Sequence, residues 1–212
     1  MISVLIPIYN GYEFMNDSVM SVINQTFEKW ELLIGVNGHP EGSFIFKEAI
    51  LYMEKDSRIK VFDFHNLSGK SNTLNRMISL CTYDYVALLD VDDIWHEKKL
   101  EIQSKYLKFD VIGSRCIYFG DLVGIVPQIP TGDISQFDFK IVNPMINSSC
   151  IIKKDIAYWG SDGLEDYELW LSLRNRNKMF YNCSEILVKH RIHKASYFNT
   201  KNHDTKMQKI LQ

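Results

Sequence analysis

The stretch YVALLDVDD, residues 85–93, decides the fold of this chain, because an apolar run typical of a buried strand ends in three carboxylates. Ligands of open α/β sheets bind in the crevice at the carboxyl ends of the strands, where Asp90, Asp92 and Asp93 are expected. Carboxylates with no nearby cysteine or histidine suit a hard divalent ion, Mg²⁺ or Mn²⁺. A simpler interpretation is that Asp92 and Asp93 cap a helix beginning near Trp95, but one cap accounts for only one aspartate.

Outward from this stretch, apolar runs alternate with helical patterns through the first 110 residues. Strands are predicted at 2–8, 30–36, 59–64 and 84–89, and helices over 15–23, 43–55, 71–80 and 96–109. Four β-α units in series predict an α/β fold with a mostly parallel central sheet and helices on both faces.

The remainder of the chain, 111–212, is less regular. A strand over 110–119 leads into a stretch spaced by glycine and proline up to Pro144, which indicates loops and mixed strands. Regular patterns return as a strand at 150–152, a helix over 165–175, a strand near 186–190 and a polar helix from about 202. We expect a single domain over 1–212, with a regular half over 1–110 and an irregular half over 111–212.

Composition excludes several classes of protein. The chain has 212 residues and a net charge of −2, and it lacks the basic stripe of a nucleic-acid surface. The start has no basic leader, and no apolar run approaches the roughly 18 residues of a membrane span, so a soluble, cytoplasmic protein without a transmembrane segment is expected. The four cysteines are widely separated, which predicts reduced, buried thiols rather than a metal or redox site.

Five motifs, in order along the chain, resemble the family 2 glycosyltransferases of the GT-A fold. They are VLIPIYN at 4–10, SVINQTF with WELLI at 21–34, DVDDIW at 90–95 followed by Lys99, Leu100 and Gln103, LEDYELWL at 164–171, and RIHKAS at 191–196. The resemblance implies an inverting, metal-dependent transfer of a sugar from a nucleoside diphosphate sugar, with a UDP-sugar the expected donor, to a hydroxyl of a glycan or glycoprotein. It also implies that 1–110 binds the nucleotide, that 111–212 faces the acceptor, and that the family's domain often belongs to a longer polypeptide.

The resemblance further implies a nucleotide-sugar site at the ends of the first strands. Its expected residues are Pro7, Tyr9, Asn10, Asn37, Gly69, Lys70, Asp90, Val91 and Asp92. The chain departs from the family at Asn37, where relatives carry aspartates that read the base. An asparagine could accept a hydrogen bond from a uracil imide or pair with another base, so the base stays open.

The metal is expected to be Mn²⁺ or Mg²⁺, because cleavage leaves negative charge on the diphosphate. By the resemblance, Asp92 ligates the ion directly, and Asp90 reaches the ribose or a metal-bound water. His193 completes the metal shell or contacts the diphosphate, on a segment expected to close over the donor.

The expected general base is Asp166, at the head of a helical apolar stripe that includes Trp170. An ordinary pKa of about 3.9 would leave this carboxyl ionised at neutral pH. Glu165 is the competing base. The acceptor side is expected to include Asp93, Trp95, Ser148, Ser149 and Trp170, although Asp93 could instead cap a helix and the serines could satisfy local backbone.

Two other classes of nucleotide-binding protein do not fit the sequence. A P-loop would need glycine at the position of Phe64, five residues before Gly69, and a nucleotidyltransferase would need a Gly-rich basic loop after the first strand. The alternative that stays open is a non-catalytic domain that binds sugar nucleotide or carbohydrate on a degenerate transferase scaffold. Retention of Asp92, Asp166 and His193 together argues against such decay.

Overall fold

A computed structural model describes residues 1–160 and 164–194, and within these ranges nine strands form one sheet with five α-helices packed on it. The strands are β1 (Ile2–Ile8), β2 (Trp30–Asn37), β3 (Ile59–Phe64), β4 (Tyr85–Leu88), β5 (Ile94–Trp95), β6 (Val111–Gly120), β7 (Gly132–Asp133), β8 (Ile151–Lys153) and β9 (Phe180–Ile192). The helices are α1 (Met15–Ile23), α2 (Phe44–Ile50), α3 (Lys70–Leu80), α4 (Lys99–Gln103) and α5 (Glu165–Asn175).

The apolar runs of the first half are continuous because their strands are buried on both faces. In β1, Ile6 packs into a core shared with α1, α2 and α4, whereas Leu5 packs into a second core shared with α3 and α5. Successive side chains of a strand point to opposite faces, so one run supplies both cores. The predicted covering of both faces by helices is confirmed.

Strand order in the sheet is β3-β2-β1-β4-β8-β6-β9-β5, with β7 beside β9. The four predicted strands of the first half, β1 to β4, are all parallel, and β6 also runs parallel to β9. By contrast, β8 is antiparallel to both of its neighbours, and the short strands β5 and β7 are antiparallel to β9. Both halves therefore contribute to one sheet, and its direction reverses next to β4, the strand that carries the acidic stretch.

The predicted helix over 96–109 is largely wrong. Trp95 pairs with Val188 of β9, α4 covers only Lys99–Gln103, and a short 3₁₀ turn follows at Ser104–Tyr106. The alternative role of Asp92 and Asp93 as caps of a helix near Trp95 is wrong as well, since that residue lies in a strand. The strand predicted near 186–190 is longer than expected, because pairing with β6 extends it to Phe180–Ile192.

The remaining sequence predictions differ in outcome. The predicted helix over 43–55 is α-helical only to Ile50 and continues as a 3₁₀ turn to Glu54. All four cysteines are free and buried, as expected. In the part of the chain that the structure describes, no helix is long and apolar enough to cross a membrane. The helix expected from about 202 and the end of the RIHKAS motif lie outside the described residues.

Candidate active site

The first aspartate of the acidic stretch is held by the 3₁₀ turn Asn147–Ser149 that precedes β8, the antiparallel neighbour of β4. The backbone N–H of Asp90 donates to Ser148 Oγ over 3.1 Å, and the Ser148 hydroxyl donates to the carboxylate over 3.3 Å. Asn147 Nδ2 donates to both carboxylate oxygens, at 3.1 and 3.3 Å. This turn therefore fixes the orientation of the Asp90 carboxylate.

Lys70 brings together the acidic stretch and the expected base. Its Nζ lies 2.6 Å from Asp90 Oδ1 and 3.6 Å from Asp166 Oδ2. Burial disfavours the ammonium charge, but Asp166 and Asp90 outweigh it and hold the pKa of Lys70 above its usual value. Likewise, burial opposes ionisation of Asp90, yet Lys70 keeps the pKa of Asp90 below its usual value. Lys70 is the first residue of α3, directly after Gly69, whose φ of 86° is one that glycine adopts without strain.

Asp166 lies in the first turn of α5, as expected, but its acidity is not ordinary. Burial raises the pKa of Asp166 to about 6, with Asp90 and Glu165 adding to the rise and Lys70 opposing it. The indole Nε1–H of Trp159 donates to Asp166 Oδ1 over 3.0 Å. The expected pKa near 3.9 is thus corrected, because the carboxyl group is partly buried and lies near other acids.

The second carboxylate of the stretch faces a histidine. Asp92 Oδ2 lies 2.9 Å from His193 Nε2, and each side chain is 22% exposed. Burial raises the pKa of Asp92, and the neighbouring carboxylates of Asp93 and Asp90 add to the rise. The two predicted metal ligands Asp92 and His193 are therefore adjacent, whereas Asp90 is occupied by Lys70.

Asp93 has a different role from the one expected, since its side chain is fully buried. It accepts hydrogen bonds from His190 Nδ1 over 3.0 Å and from the backbone N–H of Arg191 over 2.8 Å. Burial opposes a charge on His190, but the Asp93 carboxylate raises the pKa of His190 to about 9. Asp93 thus joins the acidic stretch to β9 and neither caps a helix nor contacts an acceptor.

Arg191 reinforces the junction between β9 and the acidic stretch. Its Nε donates to the carbonyl of Asp92 over 2.8 Å, and its Nη2 lies 2.9 Å from Asp17. The guanidinium is held between the rings of Phe14 and Phe119, at 4.2 and 4.3 Å from their centroids. Sequence reasoning did not assign roles to His190 and Arg191; the signal for them was that three clustered acids require cationic partners.

The other expected acceptor-side residues support the site from within the protein. Ser148 is 1% exposed, Ser149 is fully buried and Trp95 is 4% exposed. Trp95 Nε1–H donates to the carbonyl of Ser148, and the Ser149 hydroxyl donates to the carbonyl of Ile146. Trp170 is fully buried in the core under α5. Burial corrects the expectation that these side chains contact an acceptor.

The expected nucleotide residues surround the ends of β1 and β2. Pro7 lies in β1, Asn10 is exposed in the turn that follows, and Asn37 ends β2 with 3% of its surface exposed. Tyr9 is 55% exposed and stacks on His39, with ring centroids 5.4 Å apart.

At two glycines the backbone packs too closely against a neighbouring side chain to leave the usual room for a Cβ. A Cβ at Gly38 would lie 2.8 Å from the Tyr9 ring, and a Cβ at Gly11 would lie 3.1 Å from Val91. The turn after β2 can therefore approach the Tyr9 ring closely only with glycine at 38. His39 was not singled out from the sequence.

A divalent ion would find two protein donors here, a carboxylate on Asp92 and an imidazole on His193. Within residues 1–160 and 164–194, no group of three or more His, Cys, Asp or Glu side chains is arranged to bind a metal. A site with two protein donors fits an ion that takes its other ligands from a diphosphate and water, as Mg²⁺ commonly does. The residues present thus fit a shared metal site and do not form a closed one.

Comparison with known proteins identifies the family of this chain. The family model described as glycosyl transferase family 2 matches residues 3–158. The O-antigen biosynthesis glycosyltransferase WbnJ of Escherichia coli is 28% identical over 209 residues, covering 92% of this chain and 81% of its own length. Another Escherichia coli protein, UDP-Glc:alpha-D-GlcNAc-diphosphoundecaprenol beta-1,3-glucosyltransferase WfgD, is 27% identical, covering 98% of this chain and 83% of its own length.

Solved structures share the fold at low identity. TarS of S. aureus, in complex with UDP-GlcNAc, superposes with a TM-score of 0.77 at 15% identity, over 99% of this chain and 65% of its own. The mannosyltransferase PcManGT of Pyrobaculum calidifontis, in complex with GDP-Man and Mn²⁺, gives 0.71 at 13% identity, over 92% and 58%. These likenesses confirm the GT-A fold expected from the sequence. With the family match spanning most of its length, the chain belongs to glycosyl transferase family 2.

Proposed function

We propose that this chain is a metal-dependent, inverting glycosyltransferase in which Asp166 takes the proton from the acceptor hydroxyl. The observation that carries this proposal is the ion pair of Lys70 with both Asp90 and Asp166. One lysine links a partly buried carboxylate to the strand end where the donor is expected to bind. Inversion requires such a base on the side of the sugar opposite the leaving diphosphate.

The acidity of Asp166 suits this task. A general base works best with a pKa near the operating pH, and burial raises the pKa of Asp166 to about 6. The carboxylate is then mostly ionised at pH 7, yet basic enough to accept a proton. Glu165 precedes it in the same turn and adds negative charge, so it supports the pKa of Asp166 rather than replacing it as base.

A nucleoside diphosphate sugar is the proposed donor, with UDP the expected nucleotide. The names and titles of similar proteins support this class, since they mention UDP-Glc, UDP-GlcNAc and GDP-Man. The exposed Tyr9 ring offers a stacking surface for a base, and the Asn37 amide could accept from a uracil imide. The proposed acceptor is a hydroxyl of a glycan or glycoprotein.

Asp92 and His193 would hold the divalent ion, Mn²⁺ or Mg²⁺. When bound, such an ion stabilises the charge that develops on the leaving diphosphate. Lys70, Asp90 and the turn Asn147–Ser149 then orient the donor side of the site, and Arg191 keeps the end of β9 beside Asp92. PcManGT, whose structure contains Mn²⁺, supports the choice of metal.

The test begins with calorimetric titration of UDP-, GDP- and dTDP-sugars, with and without Mn²⁺. We expect metal-dependent binding of one nucleotide class, lost in Asp92→Ala. Asp166→Asn should leave that binding nearly intact while it slows transfer, or slow release of nucleoside diphosphate to water, by about 10²- to 10⁴-fold. Asp155→Asn, at an exposed position outside the site, is the control.

Two results would count against the proposal. Failure to bind any of these sugar nucleotides in the presence of Mn²⁺ would favour a non-catalytic domain on a degenerate scaffold. Unchanged turnover in Asp166→Asn would show that another group is the base.

A further inference from the structure

We propose that Trp159, held in place by Asn75, is a positioning residue that keeps the Asp166 carboxylate aimed at Lys70. The inference rests on the proposed role of Asp166 as general base. It assigns a function to two side chains outside the motifs that identify the family's site. Both contacts on which it depends are between residues far apart in the chain or on different elements.

The side chain of Asn75 makes two hydrogen bonds to the backbone of Trp159. Its Nδ2 donates to the Trp159 carbonyl over 2.8 Å, and its Oδ1 accepts from the Trp159 N–H over 3.0 Å. A side-chain amide that meets both polar groups of one residue acts like a neighbouring strand and fixes that residue's orientation. Asn75 lies on α3, the helix that begins with Lys70. One helix therefore supports Asp166 twice, directly through Lys70 and indirectly through Asn75 and Trp159.

The Trp159 side chain is 1% exposed and packs in the core between α3 and α5. Its Nε1–H donates to Asp166 Oδ1 over 3.0 Å, which leaves Oδ2 as the oxygen nearest Lys70, at 3.6 Å. A hydrogen bond to one oxygen of a carboxylate restricts rotation of the group. Oδ2 is thereby left as the atom that receives the acceptor proton.

The other three tryptophans of the chain show that this bond is not simply a requirement of burial. Trp30 and Trp170 are buried with no hydrogen-bond partner for their indole N–H, and Trp95 donates to a backbone carbonyl. The fold therefore tolerates an unsatisfied indole N–H in its core. Of these four, Trp159 alone donates to a carboxylate, and that carboxylate is the candidate base.

A direct test reads the contact without any turnover. In a ¹H–¹⁵N spectrum, the indole resonance absent from Trp159→Phe belongs to Trp159. We expect its shift to titrate between pH 5 and 8 with a midpoint near the pKa of Asp166, about 6, and to lose this titration in Asp166→Asn. An indole signal that does not titrate in this range, or still titrates in Asp166→Asn, would overturn the inference.

The second test is a pH profile of nucleoside diphosphate release in Trp159→Phe, which keeps an aromatic ring and removes only the donor. The charged groups facing Asp166 are Lys70 on α3, Asp90 after β4 and Glu165 on α5, and all remain in this variant. Because the lost hydrogen bond favours the ionised carboxylate, the acid limb should move up by about one pH unit. Release then falls about fivefold at pH 6 and less than twofold at pH 8, while calorimetric donor affinity stays within about twofold.

Controls separate the positioning role of Trp159 from the role of Asp166 as general base. Trp30→Phe removes an unpaired indole N–H at the far end of β2 and should not move the profile. Asn75→Ala should reproduce the Trp159→Phe shift in weaker form. A uniform loss at every pH would mean that Trp159 is only structural, and the positioning role would be wrong. If Asp166→Asn itself left release unchanged, the base assignment would fail instead.

Discussion

Asp90 and Asp92 lie two residues apart after the same strand, yet the protein surrounds them in opposite ways. On the lysine side, formed by Lys70, Asp90 and Asp166, a protein cation holds the pKa of Asp90 below its usual value. On the histidine side, formed by Asp92 and His193, burial and the adjacent acids raise the pKa of Asp92. The first carboxylate already has its permanent cation. The second lies beside His193, with which we propose that it holds a divalent ion, so in this proposal the two aspartates have separate tasks.

The largest expected effect comes from removing the cation of the lysine side. In Lys70→Met, Asp90, Asp166 and Glu165 lose their common partner, which raises the pKa of Asp166 and leaves buried charges uncompensated. Nucleoside diphosphate release at pH 7 should fall by about 10²-fold or more, corresponding to about 3 kcal/mol. Lys153→Met, which breaks the ion pair with Asp110 outside the site, is the matched control. Turnover within twofold of wild type would mean that Lys70 is not the cation on which Asp90 and Asp166 depend.

A smaller effect is expected on stability, through His190 beside the histidine side. Its pKa is raised to about 9 in the folded protein, so the bond to Asp93 stabilises the fold fully below about pH 6.5 and is lost as pH rises through 9. The imidazole is one-third exposed, so we expect about 1–2 kcal/mol rather than the full value of the shift.

Urea unfolding in EDTA at pH 6.5, 8 and 9.5 measures this contribution as the difference between wild type and His190→Asn. Taking this difference in the free energy of unfolding also cancels the contributions of the other titrating groups. Among these, burial lowers the pKa of Lys99 to about 7, which makes stability rise with pH over the same interval. A difference that does not shrink between pH 6.5 and 9.5 would show that His190 is uncharged in the folded protein.

The smallest effect is expected for Ser148→Ala, which removes a hydroxyl that orients Asp90. Stability should fall by about 1 kcal/mol and turnover by less than about threefold, because Lys70 still neutralises the carboxylate. Ser149→Ala is the matched control, since that hydroxyl bonds to the backbone of Ser114 and Ile146 and does not contact Asp90. A loss of turnover above tenfold, beyond that of the control, would show that the Ser148 hydroxyl contributes more than Lys70 to the function of Asp90.

The first half of the fold could be read from sequence because its signals are local. A continuous apolar run such as 2–8 requires burial on both faces, and that requirement leaves few arrangements other than a parallel sheet under helices. The helix expected over 96–109 begins only at Lys99, and its amphipathic pattern does not reveal that the preceding residue pair Ile94–Trp95 pairs with β9 almost a hundred residues later. Tertiary pairing overrode the local preference.

The candidate site was predicted by residue type more reliably than by role. The motifs drew attention to Asp90 and Asp166, Lys70 was expected at the nucleotide-sugar site, and the structure brings these three together. Asp93 and Trp95 belong to the same stretch but turn inward, because Asp93 accepts hydrogen bonds from β9 and Trp95 donates to the carbonyl of Ser148. Neither the motifs nor the periodicity could indicate that Trp159 donates to Asp166, because that contact depends on how α3 and α5 pack.

The histidine side joins the two ends of the described chain. Arg191 reaches Asp17 across 174 positions of sequence, and His193 reaches Asp92 across 101. Contacts of such long range are slow to form, because a large loop must close before they gain any stabilisation. During synthesis, the first four strands can therefore pair while the histidine side is still incomplete. If Asp92 and His193 hold a divalent ion as proposed, affinity for that ion should arise only after residue 193 has left the ribosome, and ion binding would then report that the late contacts have formed.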